Sequence, residues 1–423
     1  MTTYKKFTPA EVKQIRSTLS DGELARKLGR TRASIRSKRQ DLGVTGTGRI
    51  ARGPSKTTVA EDLEKHDEAY WSKEHQALSA KYDKLLKSTT VTERLVQRIA
   101  SLAPLSYSAA PAIIKGTSRK HEGHPQSAVL MLSDCHIGKT TSPNQTLSFG
   151  SYNFDIFMAR LKFLEDAVLS ISKDHVSTDV PELVIPMLGD MLDGTLTHSN
   201  ESAQLDPIFS QFYSGGHAIA QFIRNLAPHF PLIRIYSVAG NHTRFQNQHR
   251  MPTKNRFSNF DSFLYAFIGA LVRDIPNVKW ALDAQPYAMF EVQNSTFFGM
   301  HGDTLRGGDK ALGVPNHAMG RLVSTATQLM NKHGKKAPNY YLTGHLHRSI
   351  VLPHATGSII VNGGFPSTDE YSLSEMFTPS DSSQTFFFVH PKFGKTASYD
   401  ISLKFAEVSK TPPYAIPAEF PMH

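Results

Sequence analysis

Five short apolar runs, rich in β-branched or aromatic residues, recur along the chain. They cover residues 128–132, 183–188, 233–238, 296–300 and 340–343. Runs of this length and composition are typical of buried strands. Pro186 lies inside the second run. Because proline has no N–H to donate to a sheet ladder, it predicts a bulge or an irregular strand at that point.

Longer segments with helical spacing of apolar residues separate these runs. Helices are predicted at residues 154–172, 207–226, 260–272 and 316–330, where crossover connections between strands require them. Later apolar runs at residues 358–361, 384–389 and 398–403 have no helices between them and are predicted to complete a second sheet. The alternation predicts an α/β layered sandwich with sheets inside and helices outside.

The N-terminal residues 1–44 have the pattern of three short helices. Thr8 and Ser20 are each followed three residues later by a glutamate, as in a capping box. Gly29 is placed to end the second helix, and Thr31 is placed to begin the third. The third helix is strongly basic, and a tight turn joins it to the second.

This N-terminal segment resembles the helix-turn-helix domains of the Myb-like and resolvase-like type, with residues 23–29 and 34–36 as the matching positions. The resemblance implies that the third helix enters the major groove of DNA. We expect Ala33, Ile35 and Leu42 to face inward. The expected DNA-binding residues are Arg30, Arg32, Arg36, Lys38 and Arg39. The alternative is a basic, solvated domain that serves only for docking.

The distribution of charge changes this picture more than the overall composition does. The chain has 423 residues, 39% of them hydrophobic, which is enough for one sizeable core plus accessory modules. Residues 1–57 contain fourteen Lys/Arg and four Asp/Glu, so they carry the whole net charge of +10. Such segregation indicates an anionic partner bound by a separate module, and we expect that partner to be DNA.

Polar residues suited to binding metals follow each of the five predicted strands. They are Asp134 and His136, Asp190 and Asp193, Asn241 and His242, His301 and Asp303, and His345 and His347. Carboxylate, carboxamide and imidazole ligands suit manganese, iron, zinc or magnesium. Cys135 is the only cysteine, so no set of thiolate ligands is available. Two ions about 3.5–4 Å apart would need a bridging carboxylate, for which Asp190 is the natural candidate.

These five segments, in this order, resemble the signature of the calcineurin-like metallophosphoesterase family: D-x-H, G-D-x-x-D, G-N-H, a later His, and G-H-x-H. The match spans residues 127–365. It implies a metallophosphoesterase β-sandwich flanked by helices, here preceded by a small all-α helix-turn-helix domain and a helical linker. It also implies that Asp134, His136, Asp190 and His347 bind one ion and that Asp190, Asn241, His301 and His345 bind the other.

The same resemblance implies that His242 is the general acid and that Asp193 orients it. The chain departs from the family pattern at Thr243, because an acidic residue usually follows the G-N-H triplet. Arg244, Arg306 and Arg348 each follow a ligand segment closely and are candidates for binding substrate phosphate.

The remaining segments complete the predicted organisation. We expect residues 45–57 to form a basic flexible linker, residues 58–103 a helical segment and residues 104–126 a second linker. The metallophosphoesterase domain is predicted to cover residues 127–410, and an extended tail is predicted at residues 411–423. The helical segment either packs on the catalytic domain or joins two copies into a homodimer. Without an apolar run of about 18 residues or a signal-peptide pattern, we expect a soluble cytoplasmic protein with no membrane partner.

Three functions fit these observations. The first is a DNA nuclease in which the N-terminal domain recruits DNA and two divalent ions activate water. We expect these ions to be Mn²⁺, with Fe, Zn or Mg as alternatives. The second is a phosphomonoesterase or nucleotide hydrolase localised to DNA. The third is a DNA-binding regulator with a vestigial metal centre. The core motifs alone do not discriminate between substrates.

Overall fold

The computed structural model describes residues 7–15, 19–42, 123–194, 208–244, 259–281, 287–305, 307, 314–368 and 381–417. The chain divides into two compact units, Met1–Arg94 and Leu95–His423. The predicted linker at 45–57 and the predicted helical segment at 58–103, with its two alternative roles, lie outside the described residues. The same is true of residues 104–122 and 418–423.

The described part of the first unit, residues 7–15 and 19–42, contains three helices: α1 (Pro9–Ile15), α2 (Asp21–Leu28) and α3 (Arg32–Asp41). Ser20 caps α2 with a capping box, and Gly29 ends it in the left-handed region with a φ of 59°. Thr31 caps α3 by accepting a hydrogen bond from the backbone N–H of Ser34. The predicted helix boundaries at these three positions are therefore confirmed. Ile15, Leu24, Ala25 and Ile35 form the small core of this unit.

Arg39 contradicts the expectation that it faces outward on α3. Its side chain is only 2% exposed. The guanidinium donates hydrogen bonds to the carbonyls of Ile15 at 3.0 Å and Leu19 at 2.6 Å, and to Asp21 Oδ1 at 2.7 Å. These acceptors cover the end of α1 and the start of α2, so Arg39 joins all three helices. Ala33, predicted to be buried, is exposed.

The second unit is built on two sheets. The first sheet contains β1 (Ser127–Leu130), β2 (Glu182–Met187), β3 (Leu232–Ser237), β4 (Val278–Ala281), β10 (Ser383–His390) and β11 (Gly394–Ser402). Its order is β11-β10-β1-β2-β3-β4, and β1 to β4 are parallel. The second contains β5 (Tyr287–Val292), β6 (Ser295–Met300), β7 (Tyr340–Thr343), β8 (Ile350–His354) and β9 (Gly357–Val361). Its order is β5-β6-β7-β9-β8, with β6, β7 and β9 parallel.

Among the described residues of this unit there are four α-helices: α4 (Phe154–Ser170), α5 (Ile208–Leu226), α6 (Phe260–Leu271) and α7 (Asn316–Lys332). One apolar cluster lies between the first sheet and α4 to α6, and a second lies between the two sheets. A third lies between the second sheet and α7. Ala128 and Leu130 of β1 belong to the first cluster and Val129 belongs to the second, so the strand is buried on both faces. Burial on both faces explains why this strand reads as a continuous apolar run.

The prediction of an α/β fold with two sheets and flanking helices is confirmed, but the membership of the sheets was partly wrong. Residues 358–361 do join the second sheet, whereas β10 and β11 join the first, where β10 pairs antiparallel with β1. Strands β4, β5 and β8 were not predicted. Local sequence does not encode which distant strand a run will pair with, and β1 and β10 are separated by most of the domain.

Pro186 produces the irregularity that its position predicts. The Pro186 carbonyl accepts a hydrogen bond from the N–H of Leu132, so this side of Pro186 faces the chain that continues from β1. The hydrogen bond that proline cannot donate is therefore lost on that same side. Pairing of β1 with β2 stops after Val129 and resumes at Leu132 without a change of register, while pairing with β3 is continuous. The proline therefore interrupts one ladder and leaves the other intact.

The part of the tail that is described, residues 411–417, forms neither helix nor strand and is anchored to the domain. Tyr414 is 1% exposed, and its hydroxyl donates to Glu165 Oε2 at 2.9 Å. Gln221 exchanges two hydrogen bonds with the backbone of Ala415, at 2.8 and 2.9 Å. The tail thus packs across α4 and α5. No helix in the described ranges is both long and apolar enough to cross a bilayer.

Candidate metal centre

The five polar segments all lie just beyond the carboxyl ends of parallel strands. Three follow β1, β2 and β3 of the first sheet, and two follow β6 and β7 of the second. Because the carboxyl ends of parallel strands share one edge, the loops that leave them converge there. Three sets of side chains each bring their ligand atoms within 4.8 Å of one another: Asp134, His136 and His347; Asp190, His301 and His345; and His136, Asp193 and His242.

Asp190 lies between two of the ligand-bearing loops. Its Oδ1 accepts hydrogen bonds from the backbone N–H groups of Asn241 at 2.7 Å and His242 at 2.9 Å. Its Oδ2 lies 3.0 Å from His301 Nε2. Apart from this close imidazole nitrogen, the buried Oδ2 receives no hydrogen bond from the described residues. One oxygen therefore holds the loop after β3, while the other faces the centre.

Asp134 is fixed in the same manner by the loop after β7. The backbone N–H of His345 donates to its two oxygens at 2.9 and 3.0 Å, and the Ser133 hydroxyl donates to Oδ2 at 2.6 Å. His347 Nε2 lies 3.5 Å from Oδ1. This carboxylate therefore links the first sheet to the second.

Asp193 contacts two histidines. Its Oδ1 lies 3.0 Å from His136 Nδ1 and 3.6 Å from His242 Nδ1. Donation of the Nδ1 proton of His136 to Asp193 leaves the Nε2 lone pair facing the centre, where it lies 3.0 Å from His347 Nε2. Two imidazole nitrogens at this distance are a poor match unless one carries a proton or a cation lies close by.

These donors fit divalent metal ions. The centre has carboxylate oxygen, a carboxamide oxygen and imidazole nitrogens, which suit manganese, iron, zinc and magnesium to different degrees. The unsatisfied Oδ2 of Asp190 and the opposed nitrogens of His136 and His347 are the groups that a cation would satisfy. Asn241 Oδ1 lies 2.9 Å from His301 Nε2, so the predicted carboxamide ligand faces the same space.

Burial and neighbouring charges shift the pKa values of His136 and His242 in opposite directions. Burial, together with the neighbouring His242, lowers the pKa of His136 to about 4, which keeps it neutral as a ligand must be. Burial alone would also lower the pKa of His242, but the carboxylates of Asp190 and Asp193 outweigh it and raise the pKa to about 9. His242 therefore holds its proton at neutral pH when only these side chains act on it.

Five of the predicted ligands adopt backbone angles that are unusual for residues with a side chain. The positive φ values are 53° at Asp134, 43° at His136, 49° at Asp190, 72° at His345 and 51° at His347. Such conformations cost about 1–3 kcal/mol each and persist only when the surroundings hold them. The loops are thus strained at the positions that bring the side chains together.

Two motif glycines permit the loops to approach each other closely. A Cβ at Gly240 would lie 2.1 Å from Asp190 Oδ1 and 2.2 Å from the Asp190 backbone nitrogen. A Cβ at Gly344 would lie 2.5 Å from Asp134 Oδ2. Each glycine therefore provides space for the metal-binding carboxylate of a neighbouring loop, a role that the sequence did not reveal.

Asp261, at the start of α6, was not identified from the sequence. It is buried and accepts hydrogen bonds from the backbone N–H groups of Asp190 and Gly240, both at 2.9 Å. Thr243, the position that departs from the family pattern, donates to Asn259 Oδ1 at 2.6 Å and accepts from the N–H of Asp261. An acidic group therefore does support the G-N-H loop here, but it comes from a helix that follows later. Only the Asn259 cap hints at it in the sequence.

The three arginines predicted to bind phosphate have different surroundings. Arg244 forms an ion pair with Asp303, and the two side chains are 25% and 20% exposed. Arg348 is partly buried beside His347. Arg306 lies outside the described residues.

The predicted DNA-binding residues also separate into two groups. Arg30 forms an ion pair with Glu11 at 2.9 Å and stacks over Phe7 at 3.9 Å, so like Arg39 it is engaged within its own domain. Arg32 and Arg36 are exposed, and Lys38 is half-buried. Arg36 also lies 3.6 Å from Asp21 Oδ2, but 81% of its side chain stays accessible.

No family model and no curated protein match this chain. Among solved structures, Vacuolar Protein Sorting 29 from Cryptosporidium parvum is 12% identical, with a TM-score of 0.28, and the alignment covers 66% of this chain and 98% of that one. An archaeal phosphodiesterase is 9% identical with a TM-score of 0.28, over 65% and 99% of the two chains. A predicted phosphoesterase from Streptococcus pneumoniae is 9% identical with a TM-score of 0.25, over 66% and 98%. At these values the similarities say nothing about what this chain binds or hydrolyses.

Proposed function

We propose that this chain belongs to the calcineurin-like metallophosphoesterase family and is a metal-dependent DNA nuclease. It hydrolyses backbone phosphodiesters, and its N-terminal helix-turn-helix domain recruits the DNA. The observation that carries the enzymatic part is the convergence of Asp, Asn and His side chains from five loops at one edge of the two sheets. The segregation of all net positive charge into residues 1–57 supports DNA as the substrate.

Two divalent ions, Mn²⁺ first and Fe, Zn or Mg as alternatives, would be held by the predicted ligands. Asp134, His136, Asp190 and His347 would bind one, and Asp190, Asn241, His301 and His345 would bind the other. Such a pair acidifies water to a pKa of about 7 and stabilises the charge on a phosphoryl group. The Oδ2 of Asp190 faces the centre, 3.0 Å from His301 Nε2, which supports its role as the shared ligand.

His242 is the proton donor to the leaving oxygen. Its Nδ1 faces Asp193, with the backbone carbonyl at 3.2 Å and Oδ1 at 3.6 Å. Its Nε2 is thereby turned towards Asp190, 3.9 Å from Oδ2. The side chain is 18% exposed, so a substrate oxygen can reach it. The carboxylates of Asp190 and Asp193 favour the protonated imidazole, which is the form that a proton donor needs.

DNA recruitment rests on the exposed basic residues of α3. Arg32 and Arg36 lie one helical turn apart and are exposed, the latter in spite of an ion pair with Asp21 at 3.6 Å. Arg30 and Arg39 are instead largely buried against their own domain. Contacts from arginine to phosphate make affinity depend strongly on salt, even where sequence preference is weak. We therefore restrict the proposed contacts on this helix to Arg32, Arg36 and Lys38.

The test is cleavage of plasmid and linear DNA by the purified full-length chain with Mn²⁺. Asp190→Ala and His242→Ala are expected to abolish cutting while binding of DNA, measured by fluorescence anisotropy, is retained. Cutting at the wild-type rate by both variants would exclude this centre as the source of activity. A purified protein that binds no metal would favour the vestigial regulator instead.

A second comparison separates the nuclease from the phosphomonoesterase or nucleotide hydrolase. Hydrolysis of a generic phosphodiester and a generic phosphomonoester is measured with and without residues 1–57. The proposal predicts that diester turnover dominates and that loss of these residues weakens action on DNA. Dominant monoester turnover, together with unchanged action on DNA after truncation, would refute the nuclease.

A further inference from the structure

An ion pair joins two of the loops that carry predicted metal ligands. Arg244, two residues after His242, contacts Asp303, two residues after His301, through Nη2 and Oδ2. The backbone of Arg244 is fixed by an isolated bridge to Asn259. The loop with Asp303 is fixed by a turn in which the N–H of Leu305 donates to the carbonyl of Gly302 at 2.9 Å. The pair is therefore held from both sides next to the candidate metal centre.

The guanidinium of Arg244 has donor capacity that Asp303 does not use. A guanidinium carries five N–H donors. The Nε atom of Arg244 is buried, yet it has no acceptor in the part of the chain that the structure describes. Through its accessible N–H groups, a guanidinium binds anions that have several oxygens. The side chains remain 25% and 20% exposed, so a ligand can reach the pair.

The carboxylate of Asp303 changes which anion this arginine favours. Near neutral pH a phosphodiester carries one negative charge, whereas a phosphomonoester carries nearly two because its second pKa is about 6. An unpaired guanidinium would attract the dianion more strongly than the monoanion, and a nearby carboxylate would repel the dianion more strongly. A pair with no net charge removes the advantage of the dianion and leaves the hydrogen-bond donors in place.

We propose that Asp303 is a specificity-determining residue that neutralises Arg244 and thereby favours phosphodiesters over phosphomonoesters at this centre. This inference rests on the proposed phosphoester hydrolysis, but not on DNA being the substrate. It assigns a role to the aspartate of the His301-Gly302-Asp303 segment. It also gives a physical reason for diester preference that is independent of the N-terminal domain.

The experiment uses the full-length chain with Mn²⁺ and two probes, bis(p-nitrophenyl) phosphate and p-nitrophenyl phosphate. The measured quantity is the ratio of kcat/KM for the monoester to that for the diester. An effect of a variant on metal affinity acts on both substrates, so it largely cancels in this ratio.

Asp303→Asn keeps an oxygen acceptor for Arg244 but removes the negative charge, and it is expected to raise the ratio about tenfold. Arg244→Gln leaves the carboxylate unpaired, so it is expected to lower the ratio. Asp303→Glu retains the charge and should stay within about threefold of wild type. A purely structural role would not move the ratio in opposite directions for the two members of the pair.

Each outcome decides one of the claims. If Asp303→Asn and Arg244→Gln leave the ratio unchanged, or shift it in the same direction, the role of Asp303 is overturned even if the protein cuts DNA. Hydrolysis of both esters with the expected opposite shifts, but without DNA cleavage, supports Asp303 and refutes the nuclease. A wild-type protein that hydrolyses neither ester overturns both.

Discussion

Gly240 offers a direct test of how closely the metal-binding loops must approach each other. In Gly240→Ala the new Cβ would lie 2.1 Å from Asp190 Oδ1 and 2.2 Å from the Asp190 nitrogen, whereas Cβ atoms in real structures stay at least 3.0 Å from such neighbours. One of the two loops must therefore move by roughly 1 Å, since the obstacle includes backbone and a fixed carboxylate.

The expected effect is larger on function than on stability. Overpacking of this kind costs about 1–3 kcal/mol of folding free energy. A displacement of about 1 Å at the reacting groups lowers activity about 100-fold. Loss of the support that orients Asp190 lowers metal affinity about 10–100-fold. The substitution also disturbs the two backbone N–H groups, of Asn241 and His242, that Asp190 Oδ1 accepts from.

The assay compares Gly240→Ala with Gly320→Ala. Gly320 lies in α7 and is exposed, and outside its own helix backbone no atom of the described residues lies within 4 Å of the position that a Cβ would occupy there. Alanine at this position should leave Mn²⁺ affinity unchanged and stabilise the helix by up to about 1 kcal/mol. Urea unfolding gives the free energies, and calorimetric titration gives the Mn²⁺ affinity. Wild-type Mn²⁺ affinity and hydrolysis in Gly240→Ala would refute the reasoning that close approach of these loops builds the centre.

Three further predictions concern parts of the chain away from the centre. Arg39→Ala should lose both DNA binding and the hydrogen-exchange protection of residues 9–42, because Arg39 is buried among the three helices. Arg36→Ala should weaken DNA binding but keep that protection, because Arg36 is exposed. Equal protection in the two variants would contradict the buried role of Arg39. Tyr414→Phe removes the hydroxyl that donates to the buried Glu165 carboxylate. This should lower the free energy of unfolding in urea by about 1–2 kcal/mol. An unchanged free energy of unfolding would show that the tail is not held at this point. Burial lowers the pKa of His217 to about 4 in the folded chain. Between about pH 6.5 and pH 4 this histidine is therefore protonated in the unfolded chain but not in the folded one, so the free energy of unfolding falls as the pH drops through that range. His217→Gln should reduce this loss by up to about 3 kcal/mol in urea titrations across that range, and parallel pH profiles would contradict it.

Much of the local structure was predictable because it depends on neighbours in the chain. The strand at Tyr340–Thr343 has the predicted bounds, and α4 to α7 begin within one residue of their predicted starts. Pro186, Gly29 and the capping residues act through backbone chemistry that is the same wherever the segment packs. The candidate ligands were also visible, since a polar residue directly after a buried strand must lie at the edge of the sheet.

What depends on distant partners was not predictable from local patterns. The runs that became β10 and β11 read as ordinary strands, and only the pairing of β10 with β1 assigns them to the first sheet. Arg39 is as basic as Arg36, and only the carbonyls of the first two helices make it a buried residue.

The same reason separates the visible from the hidden parts of the candidate centre. Asp134 and His347 are marked by their motifs, whereas Asp261 is an unremarkable acid at the start of a helix until two loops aim their N–H groups at it. The sequence by itself determined most of the strands, the long helices between them and the types of side chain at the ends of the strands. The tertiary structure decided which of these side chains meet, because long-range pairing and burial are properties of the whole chain and not of any one segment.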